Sequence, residues 1–172
     1  MREFLQSVAQ FIAASAPHDW SLYLLRNVPG FPPIVQTLHI LSVAVVVASI
    51  IFINLRVLGW AVGLQQVQEM QRRLLPWFWS ALPILFLSGL VFVLARPHRY
   101  FLNPVFGIKV ASFVAVMLIT VVSLWQMNRP ANTYSPTLTL KLLSIMSIAL
   151  WLLIMLAGRW IAYKDYLFPP PM

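Results

Sequence analysis

The chain has 172 residues, of which 60% are apolar and only 9% are charged. A soluble domain carries about 25% charged residues, so this composition excludes a soluble globular protein and indicates that lipid covers part of the surface. The net charge of +8 comes from basic residues that flank apolar runs, where they meet phospholipid headgroups, so nucleic acid is not an expected partner. Because the chain has no cysteine, disulfides, thiolate metal sites, iron–sulfur clusters and covalently bound c-type haem are excluded.

The first 33 residues are predicted to form an amphipathic segment at the membrane surface. Five apolar side chains fall on one helical face of residues 3–16: Phe4, Leu5, Val8, Phe11 and Ile12. This helix is too short and too polar to cross a bilayer, so we expect it to lie in the interface. Pro17 is predicted to end it, and Asp19 is a candidate cap for a second short helix through Arg26.

Four apolar stretches are long enough to cross a bilayer as helices, which takes about 20 residues each. They are predicted at residues 34–58, 77–95, 104–127 and 137–163. The Gln- and Arg-rich segment 63–76 is predicted to be a hydrated loop, and residues 164–172 a short Pro-rich tail. No segment shows sustained strand-like alternation. The predicted fold class is an all-α membrane protein: a four-transmembrane-helix bundle with an N-terminal amphipathic interfacial helix.

Four spans place both termini on one side of the membrane, which we call the A side. The turn between spans two and three, Arg96 to Tyr100, lies on the same side, and the other two loops lie on the opposite B side. Lys and Arg residues divide seven to five between the A and B sides. This bias is too small for the positive-inside rule to set the orientation, so the sidedness stays open.

All four acidic residues lie outside the predicted spans: Glu3, Asp19, Glu69 and Asp165. Proton-coupled carriers usually place a carboxylate at membrane depth, so the sequence disfavours an ion-driven transporter. No phosphate-binding glycine loop, serine elbow or metalloprotease helix motif is present. The sequence therefore predicts no catalytic residue and favours a non-catalytic subunit over an enzyme.

The three histidines are the candidate site residues. His39 lies about one and a half turns into span one, and His98 lies just past span two, so antiparallel packing places both at the A side together with His18. Three arginines share that side: Arg26, Arg96 and Arg99. Imidazoles and arginines can ligate a b-type haem and pair with its propionates. The same set can also bind copper together with a methionine, with His18, His39 and His98 as the candidate metal ligands, or hydrogen-bond a quinone carbonyl.

These residues also have purely structural interpretations. His98 can face water and headgroups from its basic turn, and His39 can donate to a carbonyl of a neighbouring helix. Along span one, four positions recur every seven residues: Ser42, Ser49, Arg56 and Gly63. They drift by only about 20° per step, which predicts a packing seam, with Arg56 extended towards the B-side interface. Trp151 is deep enough in span four to pack in the core.

Several motifs carry a family resemblance. They are His39 at the start of span one, Leu55-Arg56-Val57-Leu58-Gly59 at its end, Asn103-Pro104-Val105-Phe106-Gly107-Ile108-Lys109, and Gly158-Arg159-Trp160-Ile161-Ala162-Tyr163. Together they resemble a family of small, uncharacterised bacterial inner-membrane proteins that is distantly similar to the copper-resistance D type. The resemblance covers most of the chain after residue 30, although Ser42 stands where such families often have glycine. It implies four helices in the bacterial inner (cytoplasmic) membrane and, by analogy, a redox or metal role for His39.

Three functional hypotheses follow. The first is a membrane subunit for electron transfer that holds a b-type haem or a quinone near His39 at the A side and docks a larger redox partner. The second is a structural or assembly subunit without a cofactor, within a membrane complex or a homo-oligomer. The third is a copper or small-solute permease.

Overall fold

The computed structural model describes residues 2–60, 65–127 and 136–163, and within these ranges the chain is helical and contains no strand. The α-helices of this part are α1 (Arg2–Ala13), α2 (Ala16–Asn27), α3 (Phe31–Leu58), α4 (Val67–Ala95), α5 (Pro97–Phe101), α6 (Pro104–Met127) and α7 (Leu138–Trp160), and a 3-10 turn (Ile161–Tyr163) follows. The predicted all-α fold with four apolar spans is confirmed. The seam position Gly63 and the predicted tail 164–172 lie outside the described residues.

Helices α3, α4, α6 and α7 are each long and apolar enough to cross a membrane. Most residues of their apolar windows are not buried inside the protein, and large apolar side chains cover the outside of the bundle. Examples from the middle of the spans are Phe86, Leu118 and Leu152. Because these side chains have no protein cover, lipid is their natural environment. The chain is therefore a multi-pass membrane protein.

Polar side chains of the spans are turned inward. The buried ones are Ser42, Ser49, Asn54, Gln71, Ser88, Ser112, Thr120, Ser123, Ser144 and Ser147. The Asn54 amide nitrogen donates to Ser147 Oγ at 2.9 Å and joins α3 to α7, and small residues of this kind let helices approach closely. The burial of Ser42 and Ser49 bears out the predicted seam at these two positions. Three buried atoms have no hydrogen-bond partner in the described part of the chain: Ser123 Oγ, Ser144 Oγ and Trp151 Nε1.

All four spans contribute to one apolar core around Trp151, whose side chain is only 1% exposed. The core joins Val46 of α3, Phe78 of α4 and Val116 of α6 to this tryptophan of α7. Phe113 meets the indole edge-to-face, with ring centroids 6.2 Å apart. The predicted place of Trp151 in the core is confirmed.

Two helix starts differ from the prediction: prolines in the first turn explain the start of α3, and packing explains the start of α4. Helix α3 begins at Phe31 rather than residue 34, because its prolines occupy the first turn, where no backbone N–H donor is needed. Helix α4 begins at Val67, so most of the segment predicted as a loop is helical. Pro76 lies inside this helix, although an internal proline costs about 3 kcal/mol. Packing offsets that cost, because Val67 and Met70 are buried in a second apolar cluster with Ile53 of α3.

Helices α1 and α2 pack at the A side, where α1 contacts α5 and α2 contacts α4. The boundary between them differs from the prediction, since α1 ends at Ala13 and Pro17 lies in the first turn of α2. Ala9 of α1 is fully buried against the protein, whereas Phe11 is 79% exposed. The outward aromatic face suits a helix that lies in the membrane interface.

Gly59 ends α3 in the left-handed conformation, with φ +78°, and nothing lies within 4 Å of the Cβ position. We expect Gly59→Ala to lower the free energy of unfolding by about 1 kcal/mol, because alanine is strained at this φ. Gly107 of α6 also faces open space but has no positive φ, so Gly107→Ala is the matched control and should be neutral or stabilising by up to about 1 kcal/mol. Denaturant titration in mixed micelles measures the free energy of unfolding of both variants. Equal losses of stability in the two variants would contradict the role of Gly59 as the cap of α3.

Candidate functional site at the A side

His39 of α3 is half-buried and anchored to α4. Its Nδ1 lies 2.9 Å from Ser88 Oγ, and that hydroxyl lies 2.6 Å from the Ile84 carbonyl and 3.1 Å from the Leu85 carbonyl. Carbonyls only accept hydrogen bonds, so the single hydroxyl hydrogen of Ser88 is used on them. Nδ1–H of His39 must then donate to Ser88 Oγ. The neutral imidazole therefore keeps its lone pair on Nε2.

Gly89 makes this close approach possible. A Cβ at Gly89 would lie 3.1 Å from His39 Cε1 and 3.6 Å from its Nδ1, so a larger residue would crowd the ring. The hydrogen bond to Ser88 and the flat glycine surface together fix the orientation of the imidazole. The ring is held as ligating and hydrogen-bonding histidines commonly are, through one nitrogen.

Lys109 of α6 is the second basic group inside the bundle. It lies five residues after Pro104, at the A-side end of the span, and is half-buried. A Cβ at Gly158 of α7 would lie 3.6 Å from Lys109 Nζ, which is an ordinary contact distance, so Gly158 is a direct neighbour of the ammonium. Lys109 and His39 lie near the A-side ends of α6 and α3, and α7, which carries Gly158, packs on both of these helices. The residues of the site therefore come from all four spans.

The other predicted site residues are not gathered around His39. His18 Nδ1 bonds the Leu94 carbonyl at 2.7 Å and ties α2 to α4, whereas His98 is exposed on α5. The three predicted arginines are exposed as well: Arg26, Arg96 and Arg99. The physical reason is depth. Ser88, which lies at the same depth as His39, is seven residues before the end of α4, or about 10 Å along the helix axis. His98 lies beyond that end, so it is closer to the membrane surface than His39.

The predicted three-histidine copper site is not assembled in residues 2–60, 65–127 and 136–163. In these ranges no three His, Asp or Glu side chains lie close enough together to hold a metal ion. The acids described are Glu3, Asp19 and Glu69, none of which lies in the bundle interior; Glu69 pairs with Arg73 at 2.6 Å. The His39–Lys109 site is therefore basic, and it suits an acceptor oxygen or an anionic group better than a cation.

Residues 27–164 match the model of a family of unknown function, DUF6644. The chain belongs to this family. No curated protein and no solved structure matches the chain. The matched region of this DUF6644 protein begins at the last residue of α2 and contains every residue of the site: His39, Ser88, Gly89, Lys109 and Gly158. The match carries no chemical assignment, so the function of the site has to be argued from its geometry.

Lys109 is the functional residue that sequence reasoning missed in this DUF6644 member. Its position near the start of span three predicted only a side chain that extends to the interface. Lys109 and His39 both lie within eight residues of the A-side ends of their helices, which begin at Pro104 and Phe31. This similar spacing could have indicated that the two side chains share a depth in the membrane. The contact with Gly158 of α7 was not foreseeable without the register of α6 on α7.

The two glycines allow a matched test. We expect Gly89→Ala to destabilise the protein by about 1–3 kcal/mol, because the new methyl group overpacks against an imidazole that is hydrogen-bonded in place. Gly158→Ala meets only the flexible end of Lys109 at an ordinary contact distance and should cost less than about 1 kcal/mol. Unfolding in micelles measures both. A double variant with His39→Ala should recover part of the Gly89→Ala loss; equal effects of the two glycine variants would contradict the packing described.

Proposed function

We propose that this protein is a non-catalytic membrane subunit for electron transfer that binds the oxygen-bearing ring of a quinone between His39 and Lys109 at the A side. The observation that supports it best is that two basic side chains, His39 and Lys109, are half-buried at the A-side ends of a bundle of apolar spans. A quinone combines an apolar body, which dissolves in the bilayer, with polar oxygens that need partners. The site offers such partners at membrane depth.

The two side chains complement both redox forms of the ring. Lys109 has only donors, which suit a quinone carbonyl oxygen, and the Nε2 lone pair of His39 suits a quinol hydroxyl. The outer faces of the same helices expose Ile40 of α3 and Ile108 of α6 to lipid. A carrier dissolved in the bilayer can therefore approach the site laterally. No acid of the described helices competes for the two groups at this depth.

A b-type haem is the second candidate, favoured by one observation. Ser88 holds His39 through Nδ1, as second-shell groups hold ligating histidines, and Nε2 is the atom that would bind iron. The A-side arginines Arg26, Arg96 and Arg99 would pair with propionates. Only one of the two predicted imidazoles is placed inside the bundle, since His98 is exposed. The nearby Lys109 cation also suits an oxygen ligand better than iron, which ranks the haem second.

The A-side surface supports docking of a larger redox partner. Helices α1, α2 and α5 form a layer there, with two exposed cations, Arg96 just before α5 and Arg99 within it. Such a basic surface would steer an acidic partner. A location in the bacterial inner membrane and a distant relationship to copper-resistance D-type proteins belong to the same proposal. A structural subunit without a cofactor is the outcome that a failed binding test would favour.

Titration of the protein in lipid nanodiscs with a short-chain quinone tests the proposal, with quenching of tryptophan fluorescence as the readout. We expect saturable binding that His39→Ala and Lys109→Met each weaken about tenfold, which corresponds to about 1.4 kcal/mol and the loss of one hydrogen bond to a polar ligand. His98→Ala, on the exposed face of α5, is the control and should bind like the wild type.

An absorption spectrum of the same samples separates the candidates. If the wild type shows a Soret band that disappears in His39→Ala, and if it does not bind quinone, the cofactor is a haem and not a quinone. Both cofactor candidates would be contradicted if the quenching does not saturate, the protein is colourless, and His39→Ala leaves stability and assembly unchanged. The structural role would then remain.

A further inference from the structure

A second polar site lies at the B-side end of the bundle, where α3 ends and α4 and α7 begin. A cavity of about 600 Å³ is present between these three helix ends. Its position places it where phospholipid headgroups meet the protein. Trp60, which follows α3, is 76% exposed beside it in the chain, as is typical of residues in the aromatic belt of the interface.

The cavity is amphipathic. Its basic lining residues are Arg56, in the last turn of α3, and Lys141, in the first turn of α7. Val57 and Val67 supply apolar lining and are almost fully buried, with 1% and 4% of their surface exposed. No carboxylate is found among the described residues that line the cavity.

Arg56 is held in position. Its Nε–H donates to the backbone carbonyl of Gln65, just before α4, so the guanidinium stays at the end of the bundle. Lys141 is exposed, and its flexible stem can bring the ammonium to a bound group. The described acid nearest in sequence to this region, Glu69, is engaged by Arg73 at 2.6 Å. Two cationic side chains, Arg56 and Lys141, therefore line the cavity.

We infer that this cavity binds a phosphate-type anion, presented by the headgroup of an anionic phospholipid. Guanidinium and ammonium groups together are the usual partners of phosphate oxygens. Leu58 and Pro136, which also line the cavity and are partly exposed, would contact the glycerol and the first methylenes of the acyl chains, groups that a free phosphate ion lacks. The inference is independent of the quinone proposal, because the two sites lie at opposite ends of the spans.

The test compares a double variant with a charge-matched control. Arg56→Gln with Lys141→Gln removes two cations from the cavity, and Arg96→Gln with Arg99→Gln removes two exposed cations from the A side. Each protein is reconstituted in phosphatidylcholine nanodiscs with and without phosphatidylglycerol, and the lipids retained on release are counted by native mass spectrometry. We expect the wild type and the control to retain phosphatidylglycerol selectively. The cavity variant should retain it about tenfold less, because it lacks both charge-assisted contacts to the headgroup.

A second arm distinguishes the sources of phosphate. Thermal unfolding in detergent is followed with phosphatidylglycerol or inorganic phosphate added. Stabilisation by the lipid alone, lost in the cavity variant, supports the headgroup; stabilisation by phosphate alone, lost in the same variant, keeps the anion site but assigns it to a soluble ion. Retention of phosphatidylglycerol by the cavity variant at the wild-type level would overturn the inference. If the double variant does not fold, Lys141→Gln alone, at an exposed position, should show a partial loss that Lys141→Arg restores.

Discussion

Hydrocarbon forms no hydrogen bonds, and this constraint shapes the whole molecule. The backbone satisfies itself by coiling into spans, and polar side chains avoid lipid by turning inward. The result is a bundle with serine, threonine and asparagine inside and leucine, isoleucine and phenylalanine outside. The Asn54–Ser147 bond across the interior and the Ser88 hydroxyl on its own helix are direct consequences. The same constraint brings His39 and Lys109, the two basic groups of the A-side half, towards the bundle interior.

Small residues turn this constraint into a site. Ser88 and Gly89 on one turn of α4 receive the imidazole of His39, one by a hydrogen bond and the other by lacking a side chain. Gly158 lies beside Lys109, but at a distance that would also accept a methyl group. The two ends of the spans therefore differ in chemistry: the A side has basic groups within the bundle, and the B side has basic groups at an interfacial cavity. A bilayer-dissolved carrier suits the first, and a headgroup suits the second.

The sequence predicts the spans well, because their number and type depend on hydropathy, and the buried place of Trp151 follows from its depth. It predicts the start of α4 poorly, because the many Gln and Arg residues of segment 63–76 indicate a hydrated loop, while the burial of Met70 depends on tertiary packing. The candidate site was predicted only at His39. His98 shares its side of the membrane but not its depth, and Lys109 becomes its neighbour only through the packing of α6 and α7 on α3. The membrane side on which a residue lies follows from the topology. Its depth in the membrane and the direction in which its side chain points depend on how the helices are aligned against each other.

The central claim is that four apolar helices cross the bilayer with their polar faces inside. The cysteine-free chain accepts single spin labels without background, for example at Leu118→Cys of α6 and Leu152→Cys of α7, both exposed in mid-span, and at Gln68→Cys in the first turn of α4. In lipid vesicles, the mid-span labels should collide with oxygen and escape a water-soluble nickel chelate, while the label at position 68 should show the reverse. Nickel contact at positions 118 and 152 as frequent as at 68 would contradict the account.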